Sequence, residues 1–153
     1  VEEHDTIVET IVTAGYEKTA HRAGTGYCYE ERDGDFIVPG TINILVFTNK
    51  ALTDSAMVKA IMTITEAKTA ALQDWKVEST KVIPKYNTQI DHSLAKETNT
   101  STTGTATDGI ILTINTNGDV LTDAGSYSLF GDTLAKAVYI GVQRALVNSI
   151  GTE

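Results

Sequence analysis

Glu66, Lys68 and Asp108 are the side chains whose types and surroundings suit chemistry. A carboxylate can exchange a proton, and an ammonium can bind an anion or hold developing negative charge. The segment Thr103-Gly104-Thr105-Ala106-Thr107-Asp108-Gly109 adds three hydroxyls and a run of backbone N–H groups. Such a loop can cradle a phosphate, a carboxamide or an oxyanion. It is not a Walker loop, because the lysine is missing and an apolar strand pattern, not a helix, follows. The plain alternative is a polar turn whose Asp108 fixes its own backbone. Arg22, in the short stretch Ala20-His21-Arg22-Ala23-Gly24, could hold a carboxylate or phosphate, although a surface arginine is the default reading.

Other chemistries find little support. His4, His21 and His92 have no partner at helical or zinc-site spacing, so no metal is expected. Neither a Gly-x-Ser-x-Gly elbow nor a dinucleotide-binding Gly-x-Gly-x-x-Gly is present. The single cysteine, Cys28, lies between Tyr27 and Tyr29 in a short β-like run, where packing is the default over nucleophilic catalysis.

The elements that must position these groups follow from periodicity. Residues 6–13, Thr-Ile-Val-Glu-Thr-Ile-Val-Thr, predict a first strand. A turn or single helical turn is expected at 16–26, a brief edge strand at 26–31, and turns at Asp33-Gly34-Asp35 and Pro39-Gly40. Residues 41–47 are nearly continuous in apolar side chains, as in a strand buried on both faces. Thr53-Asp54 is good N-cap chemistry for a helix over 54–75, roughly 33 Å long. A strand at 77–83, a long polar loop at 85–107 with a short ordered piece at 90–95, a strand at 109–114, an Asn117-Gly118-Asp119 turn, an irregular stretch at 120–130 and a closing helix at 130–150 complete the chain. Helices alternating with apolar strands give a single α/β domain over residues 1–153: a mixed β-sheet packed by one long central helix and a C-terminal helix.

The two helices read differently. In the last one Leu134, Val138, Gly141, Val142, Ala145 and Leu146 share a face, with Lys136, Gln143 and Arg144 off it. At 100° per residue the long helix carries an apolar arc of Met57, Val58, Ile61, Ile64, Leu72 and Trp75, with Lys68 in its middle beside Thr65 and Thr69. Ala56, Ala60, Ala67 and Ala70 form a second, small-residue stripe. Glu66 lies on the opposite side from Lys68, roughly 160° away, and faces solvent unless a neighbouring segment folds over it. Lys68 either snorkels to water along apolar surface or reaches a polar pocket at the sheet edge.

Bulk properties bound the partners. The formal charge is −8 with no Lys/Arg cluster, which argues against nucleic acid. No stretch reaches the roughly 18–20 apolar residues needed to cross a bilayer, so no membrane partner is expected. One cysteine suits a reducing cytosol, and a cytoplasmic location is expected. Val1 in the first position, with no signal-peptide pattern after it, points to a cut or processed start.

Five segments, in order and spacing, resemble the adenosylcobinamide amidohydrolase family. They are Val12-Thr13-Ala14-Gly15, Ala20-His21-Arg22-Ala23-Gly24, Pro39-Gly40-Thr41-Ile42-Asn43-Ile44, Thr63-Ile64-Thr65-Glu66-Ala67-Lys68-Thr69-Ala70-Ala71-Leu72-Gln73-Asp74 and Thr103-Gly104-Thr105-Ala106-Thr107-Asp108. The chain departs from the family pattern at Ala106, where glycine is usual. The resemblance implies a corrinoid-salvage enzyme that hydrolyses the amide joining the aminopropanol arm to the corrin ring of adenosylcobinamide, releasing adenosylcobyric acid. A corrinoid is then the expected substrate, with no further cofactor required, and a homo-oligomer stays open. For that reaction Glu66 or Asp108 is expected to act as base, and Lys68 with residues 103–107 (Thr103, Gly104, Thr105 and Thr107 above all) to bind the oxyanion. Arg22, Asn43 and Thr65 are expected to orient substrate. The alternatives are a non-catalytic corrinoid-binding or regulatory module and a structural small-molecule-binding subunit.

Overall fold

The computed structural model describes residues 1–16, 20–24, 41–77 and 101–150. The edge strand expected at 26–31, the turns at 33–35 and 39–40, Cys28, the ordered piece at 90–95 and all but Val77 of the strand at 77–83 lie outside them.

The first β-branched run forms β2 (Thr6–Ala14), preceded by a two-residue strand β1 (Glu2–Glu3). The apolar run at 41–47 becomes β3 (Ile42–Thr48), and β5 (Gly109–Thr113) follows the threonine-rich loop. They form one sheet in the order β1-β2-β3-β5. β2 runs antiparallel to β3, with Thr10 opposite Val46, and β5 runs parallel to β3, with Ile44 opposite Ile110. The sheet is therefore mixed, as expected. A second parallel pair joins β4 (Ala51–Leu52) to β6 (Val120–Leu121), giving order to part of the stretch predicted to be irregular.

Between β3 and β5 runs α1 (Asp54–Asp74), and α2 (Leu129–Ile150) closes the described chain. The Thr53 hydroxyl caps α1 by accepting from Ala56 N–H at 3.3 Å. At the other end Lys76 adopts φ 56°, Val77 N–H returns to Leu72 C=O at 3.1 Å, and Lys76 N–H to Gln73 C=O at 3.0 Å. This is a Schellman closure with lysine where glycine would be unstrained. The buried Val77 packs behind it.

Both helices share a core with one face of the sheet, made by Val8, Ile42, Ile44 and Val46. Alternate residues point away: Ile7, Glu9, Ile11, Phe47 and Ile111 are exposed among the described residues, and Leu45 is half-buried. This corrects the expectation that residues 41–47 are buried on both faces. Among the described residues one helical layer covers this sheet, so the pleat splits the run into a core half and an outer half.

The α1 wheel also needs correction. Its buried face is Ala56, Ala60, Thr63, Ile64, Ala67, Lys68, Ala71 and Leu72, while Val58, Ile61, Met62 and Trp75 are exposed. Small residues, not the largest ones, let α1 lie close against α2, whose Leu134, Val138, Val142 and Leu146 fill the core. Ala70 falls outside the stripe and is exposed. Where α2 crosses β2, a Cβ on Gly141 would meet Thr10 Oγ1 at 2.7 Å, and the Thr10 hydroxyl donates to Ala137 C=O at 3.1 Å.

Candidate functional site

Lys68 is 6% exposed. Its place in the buried stripe of α1 turns the side chain toward the loop before β5, where its ammonium donates to Oδ2 of Asp108. The Asp108 carboxylate is held by more than the lysine. Its Oδ1 accepts from Thr105 N–H at 3.1 Å, from Ile42 N–H at 3.3 Å and from the Thr105 hydroxyl. The polar-turn reading of this loop is thus what the structure contains, with a buried cation added. A charge pair this enclosed is tolerated because every acceptor lobe is met.

The loop is fastened on two further sides. Thr69, one residue along α1, donates its hydroxyl to Thr103 C=O at 3.2 Å. His21 forms an antiparallel bridge with Gly104: His21 N–H donates to Gly104 C=O at 2.8 Å, and His21 C=O accepts from Thr103 N–H at 2.9 Å and Gly104 N–H at 3.2 Å. The buried Thr102 hydroxyl lies 2.6 Å from the same His21 carbonyl. Ala23 N–H donates to the Thr103 hydroxyl at 2.9 Å, which leaves that hydroxyl's own proton for another acceptor. Gly104 is glycine for a packing reason. A Cβ there would collide with Asp108 Oδ2 and lie 2.8 Å from Lys68 Nζ.

These elements line an open cleft of about 360 Å³. From α1 come Thr65, Lys68 and Thr69; from the loop come Thr103, Gly104, Thr105 and Asp108; His21 and Ala23 close the third side. A larger groove, about 540 Å³, runs between β2 and α2, with Glu9 and Arg144 as its charged side chains. It gathers no comparable set of hydroxyls and paired charge. A groove of about 410 Å³ does, with Lys50, Asp5 and Asp119 beside Thr6, Thr122 and Ser128. The 360 Å³ cleft differs from it in holding the expected Lys68, Asp108 and threonine loop.

The expected residues divide accordingly. Lys68, Asp108, Thr65, Thr103, Gly104 and Thr105 meet in the cleft. Glu66 is exposed and does not line it, and none of the described neighbours covers that face of α1. Asn43 lies on the outer face of the sheet, its amide 3.5 Å from the Thr13 hydroxyl and its Oδ1 against Gly109. Arg22 reaches toward Ser101 C=O at 3.5 Å, and Thr107 offers its carbonyl to the Thr41 hydroxyl. The loop's donors also differ from expectation. Thr105 spends its N–H and hydroxyl on Asp108 rather than on an open cradle, and Thr65 returns its hydroxyl to Ile61 C=O at 2.8 Å.

Sequence reasoning missed His21 and Thr69. Neither carries an expected role in the site, yet both stand in the cleft wall. Among the described residues no group of three or more His, Cys, Asp or Glu side chains is placed to hold a metal. No helix among them is long and apolar enough to cross a membrane.

The whole chain, residues 1–153, matches the model of a family described as adenosylcobinamide amidohydrolase. The chain is 36% identical over 152 residues to an uncharacterized protein of Methanocaldococcus jannaschii, an alignment covering 92% of this chain and 53% of that one. It therefore spans about half the length of this relative. No solved structure matches the chain.

Proposed function

The chain belongs to the adenosylcobinamide amidohydrolase family, and we propose that it hydrolyses the amide joining the aminopropanol arm to the corrin ring of adenosylcobinamide, giving adenosylcobyric acid. The observation that carries this reading is the buried Lys68 ammonium, fixed by Asp108 in the wall of a threonine-lined cleft.

Amide hydrolysis passes through a tetrahedral oxyanion, and donors fixed in advance stabilise it without reorganising as charge develops. Lys68 supplies a full charge held in place by Asp108, and the Thr103 hydroxyl retains a proton to donate. Asp108 then serves as the anchor of the cation. With Thr105 N–H, the Thr105 hydroxyl, Ile42 N–H and Lys68 all directed at it, its carboxylate is engaged before any water arrives. Glu66, on the exposed face, takes no part.

A cleft of about 360 Å³ is at the small end of ligand sites. It suits the aminopropanol arm with its amide and leaves the corrin macrocycle outside. Exposed Val58, Ile61 and Met62 stand on the same side of α1 as Thr65, within two turns of it, and offer the ring apolar surface beside the cleft.

The test is incubation of the purified protein with adenosylcobinamide and separation of the products. Release of aminopropanol with adenosylcobyric acid is the expected result. A second reading, a non-catalytic corrinoid-binding module, draws on the full engagement of the Asp108 carboxylate. Corrinoid absorbance retained by the protein, with no product, would select it.

A further inference from the structure

We infer that His21 is the proton-transfer residue of this cleft, an inference that rests on the amidohydrolase reading above. Its backbone is among the best-fixed in the site. Both its N–H and its C=O bond to the 102–104 segment, so the imidazole is carried on a strap locked to the same loop that carries Asp108. The side chain is treated in the opposite way. His21 Nδ1 is buried without a hydrogen-bond partner, and no hydrogen bond joins its ring to any described residue.

A buried polar atom left unmatched costs stability, and folded proteins keep few of them. Here the orphan belongs to a ring in the wall of a cleft where, apart from the proton of the Thr103 hydroxyl, the other described side-chain polar groups are bonded. Lys68 is paired with Asp108, Thr105 is spent on Asp108, Thr69 on Thr103 C=O and Thr65 on Ile61 C=O. Of the described ionisable side chains lining the cleft, His21 alone has no hydrogen bond or ion pair to a described residue. A ring held by its backbone and unclaimed by its neighbours is suited to exchange protons with a bound substrate.

The step balances without a further reagent. Water attacks the amide carbon while the His21 imidazole takes one of its protons, and the C–O bond forms with Lys68 against the oxyanion. The imidazolium then gives that proton to the amide nitrogen as the C–N bond breaks. A carboxylic acid and aminopropanol leave, and His21 returns to its starting form.

The experiment compares the wild-type protein with His21→Ala and His21→Gln on adenosylcobinamide, following aminopropanol release, thermal unfolding and the response to added imidazole. Both variants are expected to lose at least about a hundredfold in kcat, with KM changed less than about threefold if uniform binding is kept. Their unfolding temperature should not fall, since an unmatched polar atom is removed. Free imidazole should restore part of the His21→Ala rate and none of the wild type's. Wild-type turnover in either variant overturns the role of His21 and leaves the amidohydrolase reading standing. So does a loss of rate matched by a fall in thermal stability, or one that appears in KM and that imidazole does not repair. No turnover by the wild-type protein overturns both.

Discussion

Gly104 and Lys68 are packed so closely that a methyl group on the glycine would stand 2.8 Å from the lysine Nζ. The same methyl would overlap Asp108 Oδ2. Glycine is thus required here by the ion pair rather than by backbone torsion. Gly104→Ala should push Lys68 and Asp108 apart, at a cost of about 1–3 kcal/mol typical of overpacking. Chemical denaturation should show that loss, and amide hydrolysis should fall with it. Wild-type stability in the variant would mean that the loop yields more easily than its Thr69 and His21 fastenings suggest.

The Lys68–Asp108 pair itself makes a distinct prediction. Its side chains are 7% and 14% exposed, so removing one partner strands a charge largely out of water. Lys68→Met or Asp108→Asn should each destabilise by about 3–5 kcal/mol. The double variant should be more stable than the sum of the two losses implies, because no unpaired charge remains. Activity should not return with stability, since the cation that faces the oxyanion is gone. Denaturation midpoints of the four proteins, set as a double-mutant cycle, check both statements.

How far the site was legible in the sequence depends on which residues are considered. The Thr103–Asp108 hydroxyl run, the capped helix and the mixed sheet all followed from local pattern. The partnership of Lys68 with Asp108 did not, because 40 positions separate them and only the parallel docking of β5 on β3 brings the loop over α1. The α1 wheel weighted size, and so placed Val58 and Trp75 inside. Close approach of α2 instead selected alanines, leaving those large residues exposed. His21 was hidden for another reason. Its marks are a bridge to Gly104 and an unmatched nitrogen, and neither leaves a trace in spacing or composition.

Glu66 tests the exposed helix face directly. The base role expected for Glu66 requires a segment folded over its face, and that face is exposed among the described residues. Glu66→Gln should leave hydrolysis within about threefold of wild type and stability within about 0.5 kcal/mol, as for ordinary surface exchanges. A hundredfold loss of turnover in that variant would return Glu66 to the mechanism and require a covering segment over its face.

A second buried lysine, away from the cleft, makes a prediction about pH. Lys50, with 6% of its side chain exposed, donates to the exposed carboxylates of Asp5 and of Asp119, the latter at 3.1 Å. The hydrogen bond from Lys50, with its charge, holds the Asp5 carboxyl below its ordinary value of 3.8. The bonds to Asp5 and Asp119 push the Lys50 ammonium above its ordinary 10.5. The signs then assign opposite windows. The Asp5 contribution is present above about pH 4 and is lost as acid protonates it in the folded state. The Lys50 contribution is complete below about pH 10 and is lost as alkali deprotonates it. Asp5→Asn should therefore flatten the acid limb of an unfolding-temperature profile and weaken the alkaline one, while Lys50 keeps Asp119. Lys50→Met should flatten both limbs. An acid limb unchanged in Asp5→Asn would show that other carboxylates govern acid unfolding.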